Sequence, residues 1–456
     1  MKVTDIQAIA LMCQGSVESR VGLKIDHITF DSREVRGGSL FIALPGEHTD
    51  GHDYVAEVLA SGENAALVAT DFAYNQIHSD KLIRVRDPQL ALGLLAQAYR
   101  SQFNLPLVGI TGSNGKTTVK EMLRAVCETR FTQAEVLATS GNLNNQLGLP
   151  LTLLQLNIQH KVAIVEMGMN HSGELDYLSQ IARPTIATVN NVLHAHLGNF
   201  NSLAEIAHAK GEIYHGLDQN GLACVNLDSQ FSSGWISDLT KRQIPIYTFG
   251  AGSACYLREV SAGVGYYTTP HGPLEIKLQV LGYHNYLNAQ SVIALALNLG
   301  CSLAQIKQGL ESYTGYKGRL EQKTAFNGAM LIDDTYNANP DSVRAALQAI
   351  EELPQPHWFI LADLKELGED EIYFHQQIGL ACTNAGITKL LTIGALAAHA
   401  ASHFTGGDKL HFNSNAECVA YCHLHLPEHA TLLVKGSNSM RLFEVTAALT
   451  KSELII

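Results

Sequence analysis

A glycine-rich segment between an apolar stretch and a helical pattern carries the strongest chemical signal in the sequence. Residues 109–118 read GITGSNGKTT, follow the apolar stretch 105–110 and open an amphipathic segment over 116–129. Glycines let backbone amides turn towards phosphate oxygens, and a helix amino terminus favours negative charge. The segment predicts a phosphate loop in which Lys116 neutralises β- and γ-phosphate oxygens and Thr117 ligates magnesium. The general pattern has glycine where this sequence has Ile110, which leaves a loop without this role as the alternative.

A carboxylate at the end of a later apolar stretch is the candidate second ligand of that metal. Residues 162–166 read VAIVE, so Glu166 ends a predicted strand of the same parallel sheet. Such strands gather their carboxyl ends at one sheet edge, where a carboxylate can share a metal with the loop threonine. His196 and Lys210 follow, but spacing alone singles out neither of them, since loop histidines and lysines on helix faces are ordinary.

Composition limits the class of protein. The chain has 456 residues, which corresponds to about two to four domains, and we expect three. Its 31 basic and 43 acidic residues give a net charge of −12, the wrong sign for binding nucleic acid through its phosphates. The longest apolar stretch, around 292–297, is far shorter than the ~20 residues that span a bilayer, and the start MKVTD lacks a signal-peptide hydrophobic region. We expect a folded, monomeric, cytoplasmic protein.

The eight cysteines are scattered, and we expect them to be reduced. Cys418, Cys422, His423 and His425 have a spacing that metal ligands use. Four-residue spacing also places side chains on one face of an amphipathic helix, and this second interpretation is favoured.

Changes of pattern divide the chain into blocks over 1–82, 83–313 and 314–456. The first holds short strands (40–44, 65–69) around a helix near 53–61 and predicts a small α/β domain. The second alternates strands (105–110, 162–166, 185–190) with helices (116–129, 203–217) and predicts a central parallel-sheet phosphate-loop domain. The third repeats βα units with strands at 329–333, 358–362, 389–393 and 431–434, which predicts a Rossmann-like carboxy-terminal domain. The fold class is therefore three-domain α/β, with a hinge near 315–318.

Taken together, the motifs resemble the Mur ligase family. The similar segments, in chain order, are 31–33 (DSR), 38–44 (GSLFIAL), 50–52 (DGH), 111–118 (TGSNGKTT), 139–145 (TSGNLNN), 166–169 (EMGM), 190–191 (NN) with His196, 209–213 (AKGEI), 282–285 (GYHN), 288–289 (NA), 318–319 (GR), 333–340 (DDTYNANP), 366–368 (ELG) and 435–437 (KGS). They cover all three blocks.

The resemblance implies ATP and Mg²⁺ as cofactors and assigns residues to them by position. The ATP phosphates would contact Gly112, Ser113, Asn114, Gly115, Lys116, Thr117, Thr118 and Arg319, with adenine near Asn288 and ribose near Asp334. Magnesium would be held by Thr117, Glu166, His196 and Lys210, the last matching a lysine that several family members carbamylate. The catalytic set would consist of Lys116, Glu166, His196 and Lys210.

The resemblance also implies the substrates. It makes the first block the domain that binds a UDP-linked substrate, and it assigns substrate contacts to Ser32, Thr139, Ser140, Asn142 and Asn145. The segments 31–33 and 334–340 favour the members that add D-alanyl-D-alanine to UDP-N-acetylmuramoyl-tripeptide for peptidoglycan synthesis. A carboxylate is a poor electrophile, so amide formation would proceed through an acyl phosphate and release ADP. Ala362, Leu364 and Asn438 depart from the family pattern, which leaves the reaction class intact but gives less support to carboxy-terminal contacts with the dipeptide.

Other functions stay open at this point. A ligase that polyglutamylates folate, or another muramoyl peptide ligase, would share the phosphate and metal residues. A phosphate-loop switch or motor ATPase would make no covalent product, and the sequence lacks the Asn-Lys-x-Asp guanine signature. A scaffold without enzymatic activity is the least favoured alternative.

Overall fold

The computed structural model describes residues 1–18, 22–46, 49–74, 78–194 and 197–451. Its amino-terminal elements are β1 (Thr4–Asp5), α1 (Ile6–Met12), β2 (Ser16–Val17), β3 (Lys24–Ile25), β4 (His27–Thr29), β5 (Ser39–Ile42), α2 (Val55–Ala60), β6 (Ala65–Ala69), β7 (Leu82–Val85) and α3 (Pro88–Arg100). The main sheet has the order β2-β7-β6-β5-β4, with β4 to β7 parallel. Because β7 runs to Val85, this sheet extends past the domain boundary predicted at residue 82.

The central region is built on a parallel sheet. Its elements are β8 (Leu107–Thr111), α4 (Lys116–Glu128), β9 (Val136–Ala138), α5 (Gly148–Leu153), β10 (Val162–Glu166), α6 (Glu174–Ala182), β11 (Ile186–Val189), α7 (Leu203–Gly211), β12 (Leu222–Asn226), α8 (Ser232–Lys241) and β13 (Ile246–Phe249). The strand order is β13-β12-β11-β8-β10-β9. All residues of β8 and β10 are buried, as expected for parallel strands covered by helices on both faces. The phosphate loop therefore leaves the middle of the sheet.

An antiparallel meander and two helices complete the central region. They are β14 (Tyr256–Ser261), β15 (Val264–Thr269), β16 (Gly272–Ile276), α9 (Tyr283–Asn298) and α10 (Leu303–Ser312). The strand–helix alternation predicted for this block does not anticipate the meander. Helix α9 is buried over most of its length and packs on α4, so it supports the helix that follows the phosphate loop.

The carboxy-terminal region is a doubly wound sheet, as predicted. Its elements are β17 (Glu321–Thr324), β18 (Met330–Asp334), α11 (Pro340–Ile350), β19 (His357–Ala362), α12 (Glu371–Asn384), β20 (Lys389–Ile393), α13 (Ala397–His403), β21 (Asp408–Phe412), α14 (Asn415–His425), β22 (Thr431–Lys435) and α15 (Leu442–Leu449). The order is β17-β18-β22-β19-β20-β21, with only the edge strand β17 antiparallel among these described strands.

Cys418 and Cys422 lie on the buried face of α14, within the hydrophobic core beneath the sheet. Their spacing therefore reflects one helix face, and the described residues contain no group of three or more His, Cys, Asp or Glu side chains arranged around a metal position. None of the described helices is both long and apolar enough to cross a bilayer.

Candidate active site

The shape of the phosphate loop depends on its glycines and on side-chain amides that directly follow β11, a neighbour of β8 in the sheet. Gly115 has φ +81°, and a Cβ there would lie 2.7 Å from Asn190 Nδ2. The Asn190 amide donates to the carbonyl of Asn114 (3.0 Å) and to Asn288 Oδ1 (3.0 Å). A side chain at position 115 would be strained and would collide with these amides, so glycine is required where the loop passes close to α9.

Thr117 and Glu166 meet beside the loop. The Thr117 hydroxyl donates to Glu166 Oε2 (2.9 Å), and Asn144 Nδ2 donates to Glu166 Oε1 (2.7 Å). The backbone N–H of Glu166 donates to Thr139 Oγ1 (3.0 Å), whose residue is buried. The carboxylate is thus held by two side chains, and the backbone of Glu166 is held by a third. Glu166 ends β10, which pairs with β8 directly before the loop.

Two lysines whose charges interact, Lys116 and Lys210, lie in different surroundings. Lys116 Nζ donates to the loop carbonyls of Gly112 (2.7 Å) and Ser113 (3.2 Å) and lines the cavity described below. Burial lowers the pKa of Lys116, while the Glu166 charge opposes this effect. Lys210, on α7, is 1% exposed, and within the described part of the chain it has no hydrogen-bond or ion-pair partner. Burial, together with the positive charge of Lys116, holds the pKa of Lys210 well below its usual value.

The carboxy-terminal region supplies the opposite wall. Arg319 donates through Nη2 to Thr117 Oγ1 (3.2 Å), and its guanidinium lies 4.1 Å from the centre of the Tyr336 ring. Its buried Nε has no hydrogen-bond partner among the described residues. Asp334 accepts from Lys435 Nζ (2.6 Å) and from the backbone N–H of Leu320 (3.2 Å). Burial lowers the pKa of Lys435, against the raising effect of Asp334.

These walls enclose a cavity of about 960 Å³. The predicted site residues that line it are Ser113, Asn114, Gly115, Lys116, Thr118, Asn142, Asn145, Glu166, Asn288, Arg319 and Asp334. Gly112, Thr117, Thr139 and Lys210 are buried behind this lining. The structure therefore brings the predicted nucleotide residues of two distant blocks to one place.

Two of the predicted residues are not placed there. Ser32 lies in a short turn after β4, and Ser140 is exposed after β9; neither lines the cavity. Their contact with a uridine substrate stays a prediction. His196 lies outside the described residues.

Several polar residues of the site were not predicted as site residues. They are Asn190, Asn191 and Asn339, all of which line the cavity. They are amides on loops, a common residue type in turns. Their positions within the family-like motifs were the available signal.

Comparison with known protein families agrees with this geometry. Residues 24–100 match the family described as "Mur ligase family, catalytic domain", residues 110–296 match "Mur ligase middle domain", and residues 318–438 match "Mur ligase, glutamate ligase domain". The phosphate loop, Glu166 and Lys210 lie in the middle segment, and Arg319 and Asp334 lie in the last.

Individual relatives are similar over nearly the whole chain. The UDP-N-acetylmuramoyl-tripeptide–D-alanyl-D-alanine ligase of Escherichia coli is 37% identical over 437 residues, covering 94% of this chain and 95% of that protein. A crystal structure of MurF from Acinetobacter baumannii has a TM-score of 0.90 at 33% identity and covers 98% of both chains. The MurF ligase of Thermotoga maritima, solved in complex with ADP, has a TM-score of 0.82 at 25% identity, covering 92% of this chain and 96% of that one. The chain therefore belongs to the Mur ligase family and, within it, to the MurF ligases.

Proposed function

We propose that this chain joins D-alanyl-D-alanine to UDP-N-acetylmuramoyl-tripeptide in an ATP-dependent reaction and thereby forms the UDP-muramoyl-pentapeptide precursor of peptidoglycan. The observation that carries the proposal is the convergence of Lys116, Glu166 and Arg319 around one cavity between two domains. The reaction named for the E. coli relative supports the same substrates.

The phosphate loop fits ATP. Its amides follow a strand and open α4, and the helix amino terminus adds a field that favours anions. Across the cavity, the buried Nε of Arg319 is a donor without a partner among the described residues, and a phosphate oxygen would satisfy it. Lys116 provides a further charge on the loop side. Asn288 and Asp334, both in the lining, are the residues that we propose to contact adenine and ribose.

The neighbouring oxygen atoms fit Mg²⁺. A hydroxyl from Thr117 and a carboxylate from Glu166 are 2.9 Å apart, and both are the hard ligands that magnesium prefers. A bound magnesium ion would supply positive charge between the phosphates and the reacting carboxylate. His196 completes the proposed ligand set by resemblance to the family.

Lys210 is suited to carbamylation because a neutral amine is the form that combines with carbon dioxide. Its burial and the nearby charge of Lys116 lower its pKa and so shift the equilibrium towards the neutral form. A carbamate would replace an isolated buried amine with an anion that Lys116 and a metal can stabilise. We therefore assign Lys210, as its carbamate, to the metal side of the site.

The chain's own residues then perform distinct tasks in amide formation. Lys116 and Arg319 neutralise phosphate charge while the tripeptide carboxylate attacks the γ-phosphate and displaces ADP. The resulting acyl phosphate is the electrophile for the dipeptide amine, which gives up a proton as it attacks. Phosphate leaves as the amide bond forms. Because Lys116 and Arg319 belong to opposite walls, the domains must be together for this step.

The substrate-facing assignments follow the cavity lining. Asn142 and Asn145 would contact the muramoyl peptide, whereas buried Thr139 holds the end of β10 through Glu166. Ser32 and Ser140 would contact the uridine portion outside the cavity. We assign the amino-terminal block, predicted as 1–82 and extended by its sheet to Val85, to this UDP substrate. We assign the rest of the block 83–313 to ATP and 314–456 to the dipeptide and the ribose, and we propose a cytoplasmic monomer.

The test is product formation by the purified chain. UDP-N-acetylmuramoyl-tripeptides ending in diaminopimelate or in lysine are each incubated with ATP, Mg²⁺ and D-alanyl-D-alanine, and ADP and the pentapeptide are measured together. We expect one ADP per pentapeptide, and no ADP when either organic substrate is omitted. ATP turnover without the tripeptide would favour the ATPase alternative, and turnover with a folate and glutamate would favour the polyglutamylating alternative.

A further inference from the structure

The backbone of Asn114 is clamped within the central domain, which leaves its side chain facing the other wall of the cavity. Its N–H donates to Asn191 Oδ1 (2.9 Å), and its carbonyl accepts from the side-chain amides of Asn190 and Asn191 (3.0 Å each). These bonds satisfy both backbone groups of the residue. The Asn114 carboxamide is therefore attached to a backbone that is fixed within the phosphate loop.

That carboxamide pairs with Asn339 of the carboxy-terminal domain. Asn339 Nδ2 donates to Asn114 Oδ1 (2.7 Å), and Asn114 Nδ2 donates to Asn339 Oδ1 (3.3 Å). The two residues are 225 positions apart in the chain. A carboxamide offers both donors and acceptors, so two of them can bond reciprocally, whereas a carboxylate or a hydroxyl on one side supports at most part of the pair.

Asn339 also determines where α11 begins. Its Oδ1 accepts from the backbone N–H of Ser342 (2.8 Å), and its own N–H donates to Ser342 Oγ (2.9 Å), so it is the N-cap of the helix. Asp341 is the second residue of the helix, after Pro340. Its carboxylate lies 2.9 Å from the backbone nitrogen of His194 and 3.0 Å from His194 Nδ1. The first turn of α11 is therefore attached to the central domain at two points.

The segment that leads into this turn carries nucleotide-facing groups. Asp334 ends β18, and Tyr336 stacks on Arg319, which itself reaches Thr117. Fixing Asn339 against the phosphate loop fixes the placement of these groups relative to Lys116. An error of about 1 Å in such a placement is enough to slow a reaction strongly.

We propose that Asn114 and Asn339 are positioning residues that form an amide latch, which seats the carboxy-terminal domain on the phosphate loop in the arrangement that reacts. The proposal rests on the proposed function of that loop. The latch acts on domain closure. Asn339 belongs to the carboxy-terminal domain, which closes on the cavity, and Asn114 belongs to the phosphate loop of the central domain.

The test separates the latch from the helix cap and from nucleotide binding. Asn339→Ser keeps a good N-cap residue but loses the reciprocal amide, Asn114→Ala removes the other half, and Ser342→Ala loosens the cap while leaving the pair intact. For each of the first two variants we expect kcat to fall about ten-fold, with the Kd of a non-hydrolysable ATP analogue within about two-fold of wild type for Asn339→Ser. The double variant should be no slower than the slower single variant, since both remove one interaction. Ser342→Ala should stay within about two-fold of wild type.

Small-angle scattering supplies a readout that does not depend on turnover. Wild type should become more compact when the ATP analogue and Mg²⁺ are added, and Asn339→Ser should show a smaller change. Three kinetic results would overturn the latch: a wild-type kcat in either single variant, a double variant whose loss of kcat is the product of the two single losses, or a kcat of Ser342→Ala as low as that of Asn339→Ser. A nucleotide-dependent change in scattering that is equal in Asn339→Ser and wild type would also overturn it. A wild-type chain that compacts with nucleotide but makes no pentapeptide would refute the proposed function and leave the latch standing.

Discussion

The hydroxyl of Thr117 and the carboxylate of Glu166, 49 residues apart in the chain, are joined by a hydrogen bond of 2.9 Å. The contact arises because β8 and β10 are neighbouring parallel strands, in register from Leu107 opposite Ala163 to Ile110 opposite Glu166. The first turn of α4 and the end of β10 consequently lie side by side. Asn144, which donates to the other carboxylate oxygen, holds Glu166 in this orientation.

Changing Glu166 to Gln should weaken the response to magnesium while preserving the fold. The amide keeps the size of the side chain and an oxygen for Asn144, but it removes the charge that would face the metal. We expect the Mg²⁺ concentration for half-maximal activity to rise at least about ten-fold. Glu174→Gln, which alters another carboxylate of the same cavity, is the matched control and should keep the wild-type magnesium requirement. An unchanged requirement in Glu166→Gln would remove Glu166 from the metal site.

Changing Lys116 to Ala should abolish most turnover without destabilising the protein. The ammonium group bonds only to loop carbonyls in the described structure, so no hydrophobic contact of the core is lost. We expect kcat to fall by about 10²- to 10³-fold, and the thermal unfolding midpoint to stay within about 2 °C of wild type. Lys161→Ala, at an exposed position of the same domain, serves as the control. Near-normal activity in a folded Lys116→Ala variant would contradict the phosphate-loop assignment.

Changing Lys210 to Ala should inactivate the enzyme in a way that an added anion can reverse. If the native residue acts as a carbamate, a short-chain carboxylic acid can occupy the vacated space and supply the missing negative charge. Activity of Lys210→Ala is therefore measured against acetate concentration, with Lys116→Ala as a variant that acetate should not rescue. Absence of rescue, together with an unmodified lysine mass in gently ionised native protein, would reject carbamylation.

The buried amine of Lys210 should also make stability depend on pH. Its pKa is lowered in the folded state, whereas the unfolded chain binds a proton at this residue below about pH 10.4. In the window between these two values the unfolded state binds more protons, so the free energy of unfolding of wild type decreases as pH falls. Lys210→Met removes this loss. We measure the free energy of unfolding in urea, in bicarbonate-free buffer, for Lys210→Met and wild type. We expect the difference in favour of the variant to be larger at pH 7.5 than at pH 9.5. An equal or smaller difference at pH 7.5 would contradict the expectation.

The sequence predicted those parts of the site that depend on strand ends and local loop chemistry. The phosphate loop could be placed because an apolar strand, glycines, Lys116 and an amphipathic helix follow one another within a short segment. Glu166 could be placed because it ends a strand of the same parallel sheet. The three-domain α/β class followed from repeated alternation, and the structure confirms it, although the edge strand β17 and the meander β14–β16 were not part of the prediction.

What could not be predicted are pairings between distant polar residues. Asn339 is a helix N-cap, and this role alone would account for an asparagine at position 339. Only the folded chain shows its second contact, with Asn114. The same holds for Thr139, for which the sequence predicted a substrate contact and only the folded chain shows the bond from the Glu166 backbone to its hydroxyl. Amide and hydroxyl groups bond equally well to near and distant partners, so their sequence context does not reveal which role is used.

The central claim is that the γ-phosphate is transferred to the tripeptide carboxylate before the amide forms, and an oxygen-labelling experiment tests it most directly. A tripeptide substrate labelled with heavy oxygen in its terminal carboxylate is incubated with the enzyme, ATP, Mg²⁺ and D-alanyl-D-alanine, and the released phosphate is analysed by mass spectrometry. Transfer to the carboxylate leaves one carboxylate oxygen on phosphorus, so we predict phosphate carrying one labelled oxygen for each amide formed. Unlabelled phosphate, with its new oxygen drawn from water, would contradict the ligase mechanism.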